Sequence, residues 1–331
     1  MSGFSMPVIS PAYARIMVRH LLEKGASEGQ IFAGTASTYS KLWDSDDLDL
    51  AVFQRLLENG EAIGTEPSVG FLIGQYHNTL ALGPTGVAMG CAPTLRHSIQ
   101  ILESYTQVHV SYVKVDAESR LNNMTLRFEL EGLTGHALRH HVEASFCLMQ
   151  RFVELLTGEF LTDAKYCVSF DKPSNIAEYS QFLRSPVSFN QREISLQLPK
   201  RVLDCPSPYY HSEMWRQSQI QLSTRLRELG YSDRGVFRRY VVSRLRSYEP
   251  PLPKLAQISD DLHTSERTLN RRLKEEGASF RELRNSVLNQ WAQLYLKQSD
   301  ASIESIAASL GYQDAANFRR AFRGMNQMTP G

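Results

Sequence analysis

Near the carboxyl end of the 331-residue chain, the stretch ASLGYQDAANFRRAFR carries side chains that can hydrogen-bond DNA. Asn317 and Arg320 are predicted to point outward from one side of a helix. Two further arginines, Arg319 and Arg323, flank them, and the phenylalanines between them are spaced to be buried. Arginine donates in a bidentate manner to guanine and to phosphate, and asparagine pairs with adenine. The pattern therefore indicates a helix that enters a DNA major groove.

An earlier stretch, SERTLNRRLKEEG, repeats this pattern. The polar positions on one side of its predicted helix, spaced i, i+3, i+4 and i+7, are Arg267, Asn270, Arg271 and Lys274. Arg271 and Arg320 are equivalent positions, 49 residues apart. One such helix face is commonly no more than a solvated surface, but its repetition favours two helices that read DNA.

We predict two kinds of DNA contact from these helices. Contacts to base edges are predicted for Arg267, Asn270, Arg271, Ala315, Ala316, Asn317 and Arg320. Ala315 and Ala316 can touch only a thymine methyl group, because their side chains form no hydrogen bonds. Contacts to phosphates, which add affinity without sequence information, are predicted for Lys274, Arg281, Arg284, Arg319 and Arg323.

Two helix-turn-helix units are predicted to position these side chains. Ser265 and Asp314 are placed to cap the reading helices, and Gly311 supplies the tight turn of the second unit. Between the units, apolar residues at helical intervals over 280–298 predict one long helix. At about 1.5 Å per residue it spans roughly 28 Å, a little under the ~34 Å between successive major-groove faces of B-DNA. We therefore expect this helix to hold the two reading helices in neighbouring groove segments.

Charge is distributed unequally along the chain. Residues 1–204 contain 17 Lys and Arg against 22 Asp and Glu, which gives −5, and residues 205–331 contain 19 against 13, which gives +6; the sum is +1. Only the basic back half is expected to meet a polyanion. The four cysteines lack metal-ligand spacing, the amino terminus lacks a signal-peptide pattern, and no apolar run is long enough to span a membrane. These features favour a cytoplasmic protein with reduced thiols.

The front half, 1–204, predicts an α+β domain. Apolar and polar residues alternate over 108–112 and again over 124–130, which predicts two paired strands. The spacing over 136–156 then returns to that of a helix. A mixed arrangement of this kind is typical of an α+β fold and not of a doubly wound sheet.

The back half predicts helices only. Residues 205–232, which begin with the proline-containing DCPSPYY, are predicted to form a linker and a connecting helix. Residues 233–331 are predicted to form the DNA-binding domain. The predicted fold is thus an α+β amino-terminal domain followed by an all-α domain with two helix-turn-helix units joined by a long helix.

Other candidate sites are weaker. His136 and His140 have the i, i+4 spacing of metal ligands, but the segment is not HExxH and shows no third ligand, so no metal site is predicted. The glycine-rich GPTGVAMG lacks the lysine of a phosphate loop, and no catalytic Ser/His/Asp or Cys/His set is recognisable. The sequence thus predicts neither a cofactor nor an enzyme. Tyr76, Tyr105 and Tyr112 are the candidate effector contacts, although such aromatic side chains more often pack in a core.

The helix motifs resemble the AraC/XylS family of bacterial transcriptional regulators. IAASLGYQDAANFRRAFR is similar to the family's second-unit signature, with Tyr312 in place of phenylalanine and Ala316 in place of serine. SERTLNRRLKEEG and the following SFRELR are similar to the first unit. The resemblance covers about 233–331 and implies a seven-helix domain that holds both units in adjacent major-groove segments. Gln327 stands where the family usually has glycine.

The front half more weakly resembles the arabinose-binding-like domain of regulators of the ornithine-utilisation and quorum-sensing-modulator type. The similar segments are EPSVGFLIGQY and GPTGVAMGCAPTLRHSIQILESY. The resemblance implies that this domain senses a small molecule or mediates association, including a homodimer. It also implies double-stranded DNA and RNA polymerase as partners, and activation more often than repression. Two alternatives stay open: a ligand-independent regulator whose front half binds only itself or a partner protein, and an enzyme fused to a DNA-binding domain.

Overall fold

The chain divides into two units, Met1–Leu226 and Arg227–Gly331, in the computed structural model. The structure describes residues 8–65, 67–106, 110–120, 122–228, 236–246, 248–261, 264–298 and 301–330. This division lies later than the boundary predicted after residue 204, because the helix Ser212–Glu228 packs on the first unit through Trp215 and the fully buried Leu222. Of the predicted linker 205–232, residues 229–232 lie outside the described residues.

Helices make up most of the first unit. They are α1 (Ala12–Glu23), α2 (Glu28–Ile31), α3 (Tyr39–Asp44), α4 (Leu50–Ile63), α5 (Val69–Tyr76), α6 (Gly83–Gly90), α7 (Leu95–Tyr105), α8 (Gly135–Thr157), α9 (Ile176–Leu183), α10 (Lys200–Leu203) and α11 (Ser212–Glu228). In α1 the residues Tyr13, Met17 and Leu21, each four apart, are buried, whereas Arg19 is exposed. The helix predicted over 136–156 is present as α8.

A five-stranded sheet gives the first unit its α+β character. The strands of this unit are β1 (Val8–Ile9), β2 (Leu48–Asp49), β3 (Val113–Ser119), β4 (Asn123–Leu130), β5 (Lys165–Cys167), β6 (Val187–Ser188) and β7 (Ile194–Pro199). The sheet has the order β3-β4-β7-β5-β6 and is antiparallel except for the pair β5 and β6. In its centre Met124 pairs with Leu198, and both side chains are buried. β1 and β2 form a separate antiparallel pair.

One of the two predicted strands is misplaced. Residues 107–109 lie outside the described residues, and Val110 and Tyr112 precede β3 instead of belonging to a strand. Both side chains are nevertheless buried, and the ring of Tyr112 packs 5.6 Å from that of His141. A buried connection between a helix and a strand therefore reproduces the alternation that predicts a strand. The second prediction, over 124–130, is confirmed by β4.

The backbones of α5 and α8 approach each other closely. A Cβ atom on Gly70 would lie 2.5 Å from the Cβ atom of Glu143 and 2.7 Å from the carbonyl oxygen of His140. A Cβ atom on Gly74 would lie 2.8 Å from the carbonyl oxygen of Ala144. Any larger side chain at either position would force the helices apart. The two glycines thus allow the middle of α8 to be buried.

The described part of the second unit contains helices and no strands. They are α12 (Val236–Arg246), α13 (Leu255–Asp261), α14 (Glu266–Glu275), α15 (Phe280–Gln298), α16 (Ile303–Ser309) and α17 (Ala315–Asn326). The long helix predicted over 280–298 is confirmed as α15, which packs against α12, α16 and α17. Its buried side includes Val287, Leu288 and Trp291. Within the described part of the chain, every helix is too short or too polar to traverse a lipid bilayer.

Candidate nucleic-acid interface

α14 has one buried side and one exposed side. Leu269 and Leu273 are fully buried. The hydroxyl of Ser265 accepts a hydrogen bond from the backbone amide of Thr268 at 3.1 Å, so the predicted N-cap is confirmed. The exposed side carries the polar residues Arg267, Asn270, Arg271 and Lys274. Because the leucines anchor the helix, these four side chains are free of any packing role.

α17 is built in the same way. Phe318 and Phe322 are buried, and the carboxylate of Asp314 accepts a hydrogen bond from the backbone amide of Asn317 at 2.7 Å. This confirms the second predicted N-cap. The exposed side carries Ala316, Arg319, Arg320 and Arg323. α17 therefore presents three guanidinium groups to solvent.

The two helices are equivalent residue by residue, at an offset of 49. Arg271 and Arg320 are each the sixth residue of their helix. The other exposed pairs are Arg267 with Ala316, Asn270 with Arg319, and Lys274 with Arg323. One framework is therefore present twice, and it carries chemically different side chains at two of its four exposed positions.

Two of the residues predicted to read bases are half-buried, Ala315 and Asn317. The side-chain amide of Asn317 donates to Asp314 Oδ2 at 2.9 Å. Its equivalent in α14 is Thr268, whose hydroxyl lies 2.9 Å from that of Ser265. Both residues thus belong to the cap at the start of their helix.

The predicted phosphate contacts also fall into two groups. Lys274, Arg281, Arg319 and Arg323 are exposed, whereas Arg284 is half-buried. Nε and Nη2 of Arg284 donate to the backbone carbonyls of Pro253 and Leu252 at 3.2 and 3.1 Å. This guanidinium therefore ties α15 to the segment before α13, a role that helical periodicity does not reveal.

A cluster of amides joins α17 to the long helix. The side chains of Asn289 and Asn326 donate to each other at 3.0 and 2.6 Å, and Gln293 donates to Asn326 Oδ1 at 2.7 Å. Asn326 also donates to the backbone carbonyl of Phe322 at 2.9 Å. Sequence reasoning missed these residues, although Asn289 and Gln293 are one turn apart on α15. The cluster fixes the end of α17 on α15.

The candidate effector residues do not form one site. The first unit contains a mostly apolar, partly open cavity of about 60 Å³, and Tyr13 and His141 are among the residues that line it. In the described part of the chain, none of the three predicted tyrosines lines it: Tyr76 is 59% exposed, and Tyr105 and Tyr112 are buried in the core. Burial lowers the pKa of His141 to about 4, so its imidazole is neutral near pH 7.

The two spaced histidines of α8 meet a carboxylate from another helix. His136 Nδ1 lies 2.7 Å and His140 Nε2 lies 3.2 Å from Glu61 Oε2, on α4. Burial alone would raise the pKa of Glu61, but the hydrogen bond from His136, the nearby His140 and the charge of Arg139 lower it below its usual range. The docking of α4 on α8 thus supplies the third ligand-type group that the local sequence does not show.

Comparison with known proteins agrees with this geometry. Residues 25–207 match the arabinose-binding domain of AraC transcription regulator, amino-terminal part, and residues 258–331 match a helix-turn-helix domain. The chain belongs to the AraC family. The resemblance predicted from the helix motifs is thereby confirmed, and so is the α+β and all-α fold.

Relatives of this AraC-family chain are DNA-binding regulators. It is 26% identical over 324 residues to the ornithine utilization regulator of Pseudomonas aeruginosa, covering 97% of this chain and 94% of the relative. It is 25% identical to the HTH-type transcriptional regulator VirS of Mycobacterium tuberculosis, covering 86% and 83%. The crystal structure of the transcriptional regulator CdpR from Pseudomonas aeruginosa shares the fold, with a TM-score of 0.50 and 22% identity over 96% of each chain. The chain is accordingly a DNA-binding transcriptional regulator and not an enzyme, as the sequence predicted.

Proposed function

We propose that this AraC-family regulator reads two adjacent major-groove segments of one DNA duplex, with α14 in one and α17 in the other. The observation that supports this most directly is the residue-by-residue equivalence of the two helices. Each has a buried apolar pair, a side-chain N-cap and four exposed positions on the opposite side. A helix that served only the fold would not need the same outward positions twice.

The exposed side chains divide into base readers and phosphate contacts. Bases are read by Arg267, Asn270, Arg271 and Arg320, and Ala316 touches a thymine methyl group. Phosphates are bound by Lys274, Arg281, Arg319 and Arg323. Asn317 and Ala315 shape the start of α17, since both are half-buried there. Arg284 supports α15 through the carbonyls that it binds.

Selection of bound sequences from a random duplex pool, followed by footprinting of the full-length chain, tests this proposal. The expected site has two conserved blocks about 10 base pairs apart on one side of the helix. A single block, or protection that does not depend on sequence, would contradict a two-helix reading. The double variant Arg271→Ala, Arg320→Ala provides the matched protein that should lose both blocks.

The front unit, predicted over residues 1–204, regulates this binding, with residues 205–232 as the connection to the DNA-binding part, 233–331. A small-molecule effector is supported by the match to an arabinose-binding domain and by the mostly apolar cavity. At about 60 Å³ the cavity is well below the ~300 Å³ of a typical ligand pocket. An effector therefore has to enlarge it on binding, which links occupancy to a conformational change. Activation through RNA polymerase and a homodimeric state complete the proposal.

Calorimetry with the whole chain tests whether the first unit senses a small molecule or only mediates association. Candidate amino acids, fatty acids and autoinducers are titrated with and without specific DNA, because an effector must bind the two states with different affinity. Leu102 and Leu148 line the cavity, so Leu148→Trp should block an effector that binds there. Binding that survives this substitution would place the effector elsewhere. Dimerisation without any ligand, measured by sedimentation, would favour the ligand-independent regulator.

A further inference from the structure

We propose that the first unit binds a zinc ion between α4 and α8, through Glu61, His136 and His140. One ligand-type atom from each of these residues lies within 4.8 Å of the other two. Two imidazole nitrogens and one carboxylate oxygen form a set that suits zinc, with a fourth position left for water. The site lies outside the helices proposed to read DNA, so it stands independently of that function.

The distances suit a tetrahedral ion after a small movement. Zinc bonds of about 2.0–2.1 Å in a tetrahedron separate neighbouring ligand atoms by about 3.3 Å. His140 Nε2 is already 3.2 Å from Glu61 Oε2, and His136 Nδ1 is 2.7 Å from it. The contact between His136 and Glu61 has to open by about 0.6 Å on this geometry. Because the His136 side chain is 69% exposed, it can move without disturbing the core.

His140 is oriented as a metal ligand before any ion binds. Its side chain is 1% exposed, and Nδ1 lies 3.2 Å from Oε2 of the fully buried Glu143. That carboxylate is itself held by the hydroxyl of Tyr179, which donates to Oε1 at 2.5 Å. A histidine that donates Nδ1–H to a carboxylate keeps its Nε2 lone pair for a metal.

Nε2 of His140, the ring nitrogen that faces Glu61, is a buried polar atom without a hydrogen bond. Nε2 is inaccessible to solvent, and its approach to Glu61 does not have hydrogen-bond geometry. A buried polar atom that lacks a partner destabilises a fold by roughly 1–3 kcal/mol. A zinc ion between His140 and Glu61 satisfies this atom, which a purely structural ion-pair cluster leaves unsatisfied.

Arg139 completes the surroundings of the site. Its Nη2 donates to Glu61 Oε1 at 2.6 Å, which leaves Oε2 directed at the histidines. The carboxylates of Glu61 and Glu143 thus lie beside one guanidinium group, that of Arg139. Two carboxylates beside one guanidinium group suit a bound cation. A bound ion would also fasten α4 to α8 and stabilise the unit by mass action.

Metal binding by the full-length chain, freed of any histidine tag and stripped with a chelator, tests the proposal. Titration with zinc chloride should give one ion per chain, and zinc should raise the melting temperature. His136→Ala should weaken the affinity at least about 100-fold, because it removes a ligand and second-sphere changes alone cost 10–100-fold. His211→Ala, another exposed histidine of the same unit, should bind as the unchanged chain does. Absence of stoichiometric binding, or equal binding by His136→Ala, would overturn the proposal.

Cobalt substitution distinguishes a built site from scattered surface binding. Co²⁺ in a tetrahedral site of nitrogen and oxygen ligands absorbs visible light far more strongly than octahedral aqueous Co²⁺. The intense band should appear with one equivalent, and Glu61→Gln should remove it. Circular dichroism of the Glu61→Gln chain shows whether it remains folded. A weak octahedral spectrum with the unchanged chain would rule out the proposed geometry.

Discussion

Arg271 donates to the carboxylate of Glu275 at 2.6 Å, one turn further along α14. The equivalent position in α17 is Gly324, four residues after Arg320. Arg271 is therefore oriented by its own helix, whereas Arg320 receives no such support from α17. Two arginines at equivalent positions, both proposed to read bases, thus differ in how far their side chains are held by their own helix.

Replacement of either arginine should relax the preference for one base pair. Arg320→Ala and Arg271→Ala each remove a bidentate donor, and we expect a loss of about 1–3 kcal/mol of discrimination at one position of the site. Competition assays with single-base variants of the selected duplex measure this. An equal loss at all positions would show that the side chain binds the DNA backbone instead.

Arg323→Ala should behave differently, because its guanidinium is proposed to bind phosphate. Affinity should fall for all duplexes alike, and the slope of log affinity against log salt should decrease by about 1. Titrations over a range of salt concentrations give this slope. Arg55→Ala in the first unit, which replaces an exposed arginine that pairs with Glu58, serves as the control and should leave the slope unchanged.

Asn326→Ala should destabilise the second unit. The substitution removes an amide that takes part in four hydrogen bonds, and it leaves the half-buried Asn289 and the exposed Gln293 on α15 without this partner. We expect a loss of about 2 kcal/mol in the free energy of unfolding, measured by urea denaturation. Gln293→Ala removes one of these bonds at an exposed position and should lose less than about 1 kcal/mol. Equal losses from both variants would argue against a shared cluster.

Gln327→Gly should stabilise the chain. Gln327 ends α17 with φ 56° and ψ 18°, in the left-handed region that favours glycine. Relief of this conformation is expected to contribute about 1 kcal/mol to the free energy of unfolding. Gly277→Ala, at φ +68° with open space around it, makes the opposite change and should destabilise by a similar amount. Thermal unfolding of both variants measures these two changes in stability. If Gln327→Gly destabilises the chain, the glutamine side chain makes a stabilising contact that outweighs its backbone strain.

Stability should fall as the pH is lowered from about 6.5 to about 4. Burial lowers the pKa of His77 to about 4, and burial together with the neighbouring His77 lowers that of His141 to about 4. In the unfolded chain both imidazoles bind a proton near pH 6.5. Between pH 6.5 and 4 the unfolded state therefore binds more protons than the folded state. The stability that is present above pH 6.5 is lost as the pH falls through this range. The loss is on the order of 3 kcal/mol for each histidine. Urea titrations across this range measure it, and His77→Gln should make the decline shallower; an unaltered decline would assign it to other groups.

Local patterns were sufficient to predict the helices α14 and α17. The caps Ser265 and Asp314, the buried pairs and the extent of α15 all depend on residues within a few turns of one another. The repeat of the same pattern 49 residues later then favoured two DNA-binding helices over a solvated helix surface. The strand predicted over 108–112 was wrong for the same reason, because a buried connection has the same local alternation as a strand.

Features that depend on docking between distant segments were not predictable. Glu61 meets His136 and His140 only because α4 packs on α8, and the 74 residues between Glu61 and His136 give no sign of it. Arg284 was predicted to be on the DNA side from its charge, but the carbonyls that it binds come from another segment. The predicted tyrosines likewise proved to be one surface residue and two core residues, since aromatic composition does not locate a cavity.

Because the two equivalent helices carry different side chains, the DNA sequence that the regulator is proposed to recognise is asymmetric. Arg267 of α14 corresponds to Ala316 of α17, and Asn270 corresponds to Arg319. In the proposed complex, one chain bound across two groove segments recognises an asymmetric sequence. Reversing that sequence relative to a promoter then reverses the order in which α14 and α17 meet the duplex. Orientation of the operator, and not its distance from the promoter alone, should then decide whether transcription responds.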